Sequence, residues 1–150
     1  MQDFHELIKS DLFIQNKMYA DGVITVKAPR GHFKRTLRRL EKQTGLDFKF
    51  TRSAKKAEIN CVYVDEVTGG AGMAYGNSKG SYRVEVEPNH WYSDSVVVHE
   101  LGHALGLGHV SGRDSIMSYD RDYNTDYFMA ADLHAITHVF DLDHNSINFY

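Results

Sequence analysis

The chain has 150 residues, of which 42% are hydrophobic and 25% are charged, and these are the proportions of an ordinary globular domain. The formal net charge of −3 is too small to indicate a nucleic acid as partner. No apolar run approaches the length of a membrane span, and the single cysteine, Cys61, excludes an internal disulfide framework. We therefore expect a single domain over residues 1–150.

The first half of the chain alternates between strand and helix patterns. Residues 3–12 are expected to form a short amphipathic helix, and residues 32–44 a longer one that Gly45 ends. Strands are expected at residues 22–28, 46–51 and 57–67, and Cys61 in the last of these is interpreted as a small core residue. Such a succession predicts a mixed, largely parallel sheet with helices packed on it.

A glycine-rich segment over residues 68–80 separates these elements from a further strand at 81–87. Within the segment, an edge strand is expected at residues 72–75, made of Gly72, Met73, Ala74 and Tyr75. Small side chains let another backbone approach, and an open edge supplies peptide hydrogen bonds. The alternative is a hairpin of glycine-rich loops with no role in binding.

Three histidines follow in a single motif. His99 and His103 are four residues apart and therefore project from the same face of a helix. Gly106 can adopt a positive φ that ends the helix and turns the chain back, so that His109 approaches the same point. Three nitrogen ligands with one position left for water are the arrangement of a catalytic zinc site, and we predict one zinc ion there.

Glu100 lies next to the first histidine of this motif. Its carboxylate can reach a zinc-bound water without being a metal ligand itself. Zinc lowers the pKa of that water to about 7, so the glutamate can take its proton as the water attacks a carbonyl. The same group can later give the proton to the leaving amine, which makes Glu100 the predicted general base and acid.

The sequence HELGHALGLGH, followed by Ser115–Tyr119 (SIMSY), resembles the signature of the metzincin zinc peptidases. The SIMSY segment is similar to that of serralysins and astacins, whereas the size and layout resemble a matrixin catalytic domain. The resemblance covers roughly residues 20–140 in the order of elements, but only the motif region is residue-specific. It implies a zincin-like α/β (α+β) fold with a twisted, mixed five-stranded sheet, a backing helix and an active-site helix. Residues about 20–106 would form the upper part, and residues 107–150 a smaller lower part with the methionine turn and a last helix at 129–140.

The resemblance also implies roles for individual residues. Met117 would form an apolar floor beneath the zinc, although any buried methionine packs similarly. Tyr119 would approach the metal and then stabilise the oxyanion of the reaction. The edge strand at 72–75 would pair with an extended peptide, and Tyr123 would line the main specificity pocket.

The function predicted from these observations is that of a zinc-dependent endopeptidase acting on peptide or protein substrates. The alternatives are a zinc-bearing peptide-binding module that has lost catalysis, and a zinc hydrolase of a non-peptide amide. A calcium ion at the acidic residues of 120–127 stays conceivable, but this segment lacks the glycine and terminal glutamate of an EF-hand loop. A separate inhibitor protein is a further candidate partner, because the cysteine-switch motif of matrixin propeptides is absent.

The N-terminal sequence has neither the basic part nor the long apolar part of a secretory signal. We therefore expect either a protein that is not exported by that route or one whose signal has been removed. The metzincin resemblance favours secretion, whereas a native start at Met1 favours an intracellular protein. The compartment thus stays open.

Overall fold

The structure is a computed structural model and describes residues 22–76 and 80–150. The helix predicted for residues 3–12 lies outside these ranges. The strands are β1 (Val23–Lys27), β2 (Asp47–Phe50), β3 (Ile59–Tyr63), β4 (Gly72–Gly76) and β5 (Tyr82–Val86). The helices are α1 (His32–Thr44), α2 (Ser93–Ala104) and α3 (Ala130–Val139), with a short 3-10 helix at His144–Ser146.

The five strands form one mixed sheet in the order β2-β1-β3-β5-β4. The first four strands in this order run parallel to one another, and β4 runs antiparallel to β5. β4 is therefore an edge strand of the sheet. The glycine-rich segment contains this strand at the position expected from the sequence.

The core lies between the sheet and the helices. Helix α1 buries its apolar stripe, and α2 buries side chains on all sides. The fully buried residues include Ile24, Val26, Phe33, Leu37, Leu40, Val84, Val97, Val98 and Leu101. Cys61 is buried in β3, which confirms its interpretation as a core residue, and burial raises the pKa of its thiol far above the usual range.

Glycine ends helix α1 as the sequence predicts. Gly45 has φ 84°, a left-handed conformation, and its N–H donates to the carbonyl of Glu41. The chain can therefore turn directly into β2, next to β1. In the described parts of the chain, none of the helices has the length and apolar character that crossing a membrane requires.

Candidate active site

Three imidazole nitrogens converge at the C-terminal end of α2. His99 and His103 lie one turn apart on the helix, and Gly106, with φ 98°, turns the chain so that His109 faces them. The Nε2 atom of His109 is 3.2 Å from that of His99 and 3.0 Å from that of His103. Two nitrogens bound to one tetrahedral zinc ion lie about 3.4 Å apart, so the three side chains can bind a metal ion.

Backbone carbonyls fix the tautomers of two of these histidines. Nδ1 of His99 is 2.9 Å from the carbonyl oxygen of Ile116, and Nδ1 of His103 is 2.8 Å from that of Leu107. Because a carbonyl can only accept, each Nδ1 carries the proton and each Nε2 turns its lone pair toward the common point. Burial also lowers the pKa of His99 to about 3, which keeps this ring neutral. The donor set is therefore preorganised for a metal cation.

A buried carboxylate holds the segment that orients the first histidine. Asp132 accepts hydrogen bonds from the hydroxyl of Ser115 (2.6 Å), the N–H of Ile116 (3.0 Å) and the N–H of Met129 (2.8 Å). Burial raises the pKa of this carboxyl group, and the three donors act in the opposite direction. Through these contacts Asp132 ties the start of α3 to the peptide whose carbonyl binds His99.

Met117 packs under the active-site helix. Its side chain is fully buried, and its sulfur lies against Gly102 of α2, where a Cβ atom would overlap it. Any larger residue at position 102 would have to displace the methionine or the helix. Gly102 therefore allows the Ser115–Tyr119 turn to lie directly beneath the histidines.

A cavity of about 640 Å³ opens beside the histidines, between β4, α2 and the turn that follows. Of the residues predicted to bind substrate, Gly72, Met73, Ala74 and Tyr123 line it, whereas Tyr75 does not. Its other walls are formed by Gly69, Gly70, Ala71, Trp91, Tyr92, Val96, His99, Glu100, His103, His109, Tyr119 and Arg121. The open edge strand and the converging imidazoles thus share one cleft.

Glu100 and Tyr119 both line the cleft beside the histidines. Glu100 is only 8% exposed, and a Cβ atom on Gly72 would come within 2.9 Å of its Cγ atom and 2.5 Å of Cγ1 of Val96. Only glycine therefore lets β4 approach the helix this closely. Tyr119 is 64% exposed, and its hydroxyl is 3.4 Å from Nδ1 of His109.

Arg121 lines the site, although nothing in its neighbouring residues predicts this position. It is 5% exposed, and it donates from Nε to the hydroxyl of Ser95 (2.9 Å) and from Nη1 to the carbonyl of Ser118 (2.8 Å). Its Nη1 lies 3.4 Å from Nδ1 of His99, and its guanidinium carbon is 4.2 Å from the ring centre of Tyr123. In the sequence this arginine stands among charged residues and has the pattern of a solvated loop.

Two other groups of titratable side chains lie outside the cleft. His32, Asp94 and Asp126 have potential ligand atoms within 4.8 Å of one another, and the Nε2 atom of His32 is 2.9 Å from the backbone carbonyl of Asp126. His134 and His144 stack, with their Nδ1 atoms 3.0 Å apart. Neither group contains a residue that lines the cavity beside the three histidines.

Comparison with known protein families supports a metzincin-like relationship. The sequence profile of the matrixin family of peptidases matches residues 74–141, which include the histidine motif and the Ser115–Tyr119 segment. The match covers less than half of the chain. It supports a metallopeptidase-like function and, with it, zinc as the metal. A search of curated proteins finds no match to this chain.

Comparison with solved structures corrects the predicted fold class. A chain of the GM1-bound form of the ECX AB5 holotoxin matches with a TM-score of 0.61 and 13% identity, over 83% of this chain and 82% of that chain. At this identity the likeness concerns the fold alone. The matched chain belongs to a toxin assembly, so this comparison does not support the zincin-like class, and the described residues form a small mixed sheet with three α-helices. The prediction was wrong because an eleven-residue motif specifies a helix, a turn and three ligands, and does not specify a fold class.

Adding zinc to the metal-free protein should stabilise it against unfolding, and this effect should depend on His109. At a zinc concentration about 100 times the dissociation constant, the free energy of unfolding should rise by about 2.7 kcal/mol, because only the folded chain holds the three nitrogens together. Thermal unfolding with and without zinc measures this effect. The His109→Ala variant should lose the zinc-dependent rise, while the exposed His138→Ala variant keeps it; a rise that persists in His109→Ala would contradict the proposed ligand set.

The burial of His99 should make the metal-free protein less stable in acid. The unfolded chain takes up a proton on His99 below about pH 6.5, whereas the folded chain does so only near pH 3. The free energy of unfolding should therefore fall as the pH decreases through this window. Urea unfolding between pH 7 and pH 4 measures the slope, which should be smaller in a His99→Gln variant; equal slopes would contradict the assignment.

Removing the carboxylate of Asp132 should lower the stability of the folded protein. The Asp132→Ala variant leaves two buried donors and one partly buried donor unsatisfied, and we expect the free energy of unfolding to fall by about 3 kcal/mol. Urea unfolding of the metal-free protein measures this change. Asp114→Ala, at an exposed position, is the control and should change the value by less than about 0.5 kcal/mol; equal losses in the two variants would refute the role of Asp132.

Proposed function

We propose that this chain is a zinc-dependent endopeptidase of metzincin type. The observation that carries the proposal is that the Nε2 atom of His109 lies within 3.2 Å of those of His99 and His103, in a cleft that Glu100 and an open strand edge also line. A metal centre alone is common to many protein classes. The addition of a buried acid–base group and a peptide-sized cleft is what favours hydrolysis of a peptide.

His99, His103 and His109 would hold the metal. Their donors are all imidazole nitrogens, a set that suits zinc and leaves one tetrahedral position open. When bound there, zinc supplies a Lewis acid that polarises a carbonyl and makes water nucleophilic near neutral pH. The carbonyls of Ile116 and Leu107 keep two of the rings oriented for this task.

Glu100 is the proposed general base and acid. Its position directly after the first ligand of α2 places the carboxylate at the wall of the cleft, and its low exposure shields it from bulk solvent. It accepts the proton of the attacking water and then donates it to the amine of the cleaved peptide. The close approach of Gly72 brings the edge strand against the side chain of Glu100.

The edge strand is the proposed binding site for an extended peptide. Among the strands of residues 22–76 and 80–150, β4 pairs only with β5, so its other edge can form backbone hydrogen bonds with a substrate. Gly72, Met73 and Ala74 face the cleft and would contact the peptide there, while Tyr75 would contribute through its backbone. Tyr123 would contact a side chain of the substrate on the opposite wall.

Met117 and Tyr119 complete the proposed machinery. Met117 forms the apolar support beneath the ligands, in the manner of a methionine turn. Tyr119 donates a hydrogen bond to the oxyanion of the tetrahedral intermediate, and its exposed hydroxyl next to His109 gives it the freedom to do so. The serralysin- and astacin-like form of this turn belongs to the same proposal.

Replacing Glu100 should separate catalysis from metal binding. The Glu100→Ala variant should keep one zinc ion per chain, because the three nitrogen ligands are unchanged, and lose about 10³-fold or more in kcat/KM. Cleavage of an unfolded protein substrate, together with metal analysis, measures both. Equal turnover by the variant and the parent would contradict the mechanism, and zinc binding without peptide cleavage in the parent would favour a binding module or a hydrolase of another amide.

Removing the hydroxyl of Tyr119 should lower kcat with little change in KM. The hydrogen bond is proposed to form with the oxyanion and not with the bound substrate, so the loss should fall on the chemical step and amount to about 10- to 1000-fold. Steady-state kinetics of Tyr119→Phe measure the two constants. Tyr127→Phe, a tyrosine outside the cleft lining, is the matched control, and an equal loss in both variants would refute the assignment.

A further inference from the structure

The cleft wall contains a buried cation that forms no direct ion pair with a carboxylate of the described residues. Arg121 is 5% exposed, yet none of the ion pairs formed within residues 22–76 and 80–150 includes it. Its hydrogen bonds go to neutral acceptors, the hydroxyl of Ser95 and the carbonyl of Ser118. The carboxylates of Glu100 and Asp132 act on this charge from beyond ion-pair distance.

The place of this cation points to substrate and not to structure alone. Arg121 lines the same cavity as the three histidines, and Nη1 is one imidazole ring away from the predicted metal position, at 3.4 Å from Nδ1 of His99. Buried charges in proteins are normally paired, and an arginine fork pairs best with a carboxylate. A ligand that brings a carboxylate into the cleft would supply the missing partner.

Tyr123 shapes the approach to the guanidinium. Its ring centre lies 4.2 Å from the guanidinium carbon, so the aromatic face covers one side of the cation. The hydroxyl of Ser95 and the carbonyl of Ser118 accept from Nε and Nη1, which fixes the plane of the guanidinium. The cation is therefore held in one orientation before any ligand arrives.

We propose that Arg121 forms a carboxylate-binding subsite beside the metal centre, so that this chain cleaves next to an acidic residue or a chain-terminal carboxylate. The inference rests on the proposed peptidase function and adds the chemical class of the substrate. Because the guanidinium is one ring away from the metal position, the recognised residue is the one adjacent to the cleaved bond. Pairing with a desolvated guanidinium should favour the charged residue by about 10- to 100-fold over its amide.

The zinc-loaded parent protein tests the inference without any mutation. The probes are peptides that differ only as Glu against Gln, or Asp against Asn, at each position around one bond, each with a free or an amidated C-terminus. We expect faster cleavage of the acidic peptide at one position next to the bond. Faster cleavage of the Glu or Asp peptide than of its amide identifies a side-chain carboxylate, and faster cleavage of the free than of the amidated C-terminus identifies the chain terminus. No difference in either comparison would overturn the inference alone, and no cleavage of any peptide would overturn the proposed function with it.

Binding can be measured separately from cleavage, because the chain has a single tryptophan and Trp91 lines the cleft with 73% exposure. In the Glu100→Ala background, its fluorescence should report a dissociation constant about 10- to 100-fold lower for the acidic peptide than for the amide. Adding Arg121→Gln should abolish the difference, and adding Arg113→Gln, at an exposed position, should preserve it. A difference that persists in Arg121→Gln, or its absence before any arginine is changed, would overturn the inference.

Discussion

The orientation of two imidazole rings by backbone carbonyls is the constraint on which the site depends. The Nδ1 protons of His99 and His103 are bound by Ile116 and Leu107, and each of these residues follows α2 in the chain. The metal ligands and the segments that orient them therefore belong to one continuous stretch. A change that moves this stretch relative to α2 would also move the imidazole nitrogens away from the point where they converge.

Close approach of backbones brings the remaining parts together. Gly102 lets Met117 pack against the helix from below, and Gly72 lets the edge strand pack against Glu100 from above. A side chain at either position would separate the elements by the width of a methyl group or more. The cleft is thus narrow where the carboxylate lies, and it is open where Trp91 and Tyr119 reach solvent.

Local patterns in the sequence predicted local features well. The spacing of His99, His103 and His109 predicted that the three rings would meet, because helix periodicity and one glycine turn determine their relative positions. Alternation and glycine placement likewise located α1, its end at Gly45, and the edge strand. The third strand is shorter than the expected span 57–67. Its residue pairs with β5 end at Tyr63, whereas the hydrophobic pattern in the sequence continues beyond that residue.

Long-range contacts could not be read from the sequence. Asp132 binds Ser115 and Ile116 across 17 and 16 positions, and Arg121 reaches Ser95 across 26, so nothing in the neighbouring residues marks either one. The fold class failed for a related reason, since it was inferred from a short motif and an order of elements. The ligands of a metal can be close in sequence, whereas the residues that hold them in place come from the whole fold.

X-ray absorption at the zinc edge of the metal-loaded protein tests the central claim most directly. We predict a first shell of three imidazole nitrogens and one or two light oxygen donors at about 2.0–2.1 Å. The spectrum of the parent protein should show multiple scattering from three imidazole rings, and the spectrum of His109→Ala should show it from two rings. A sulfur donor, a fourth protein nitrogen, or an unchanged spectrum in that variant would contradict the account.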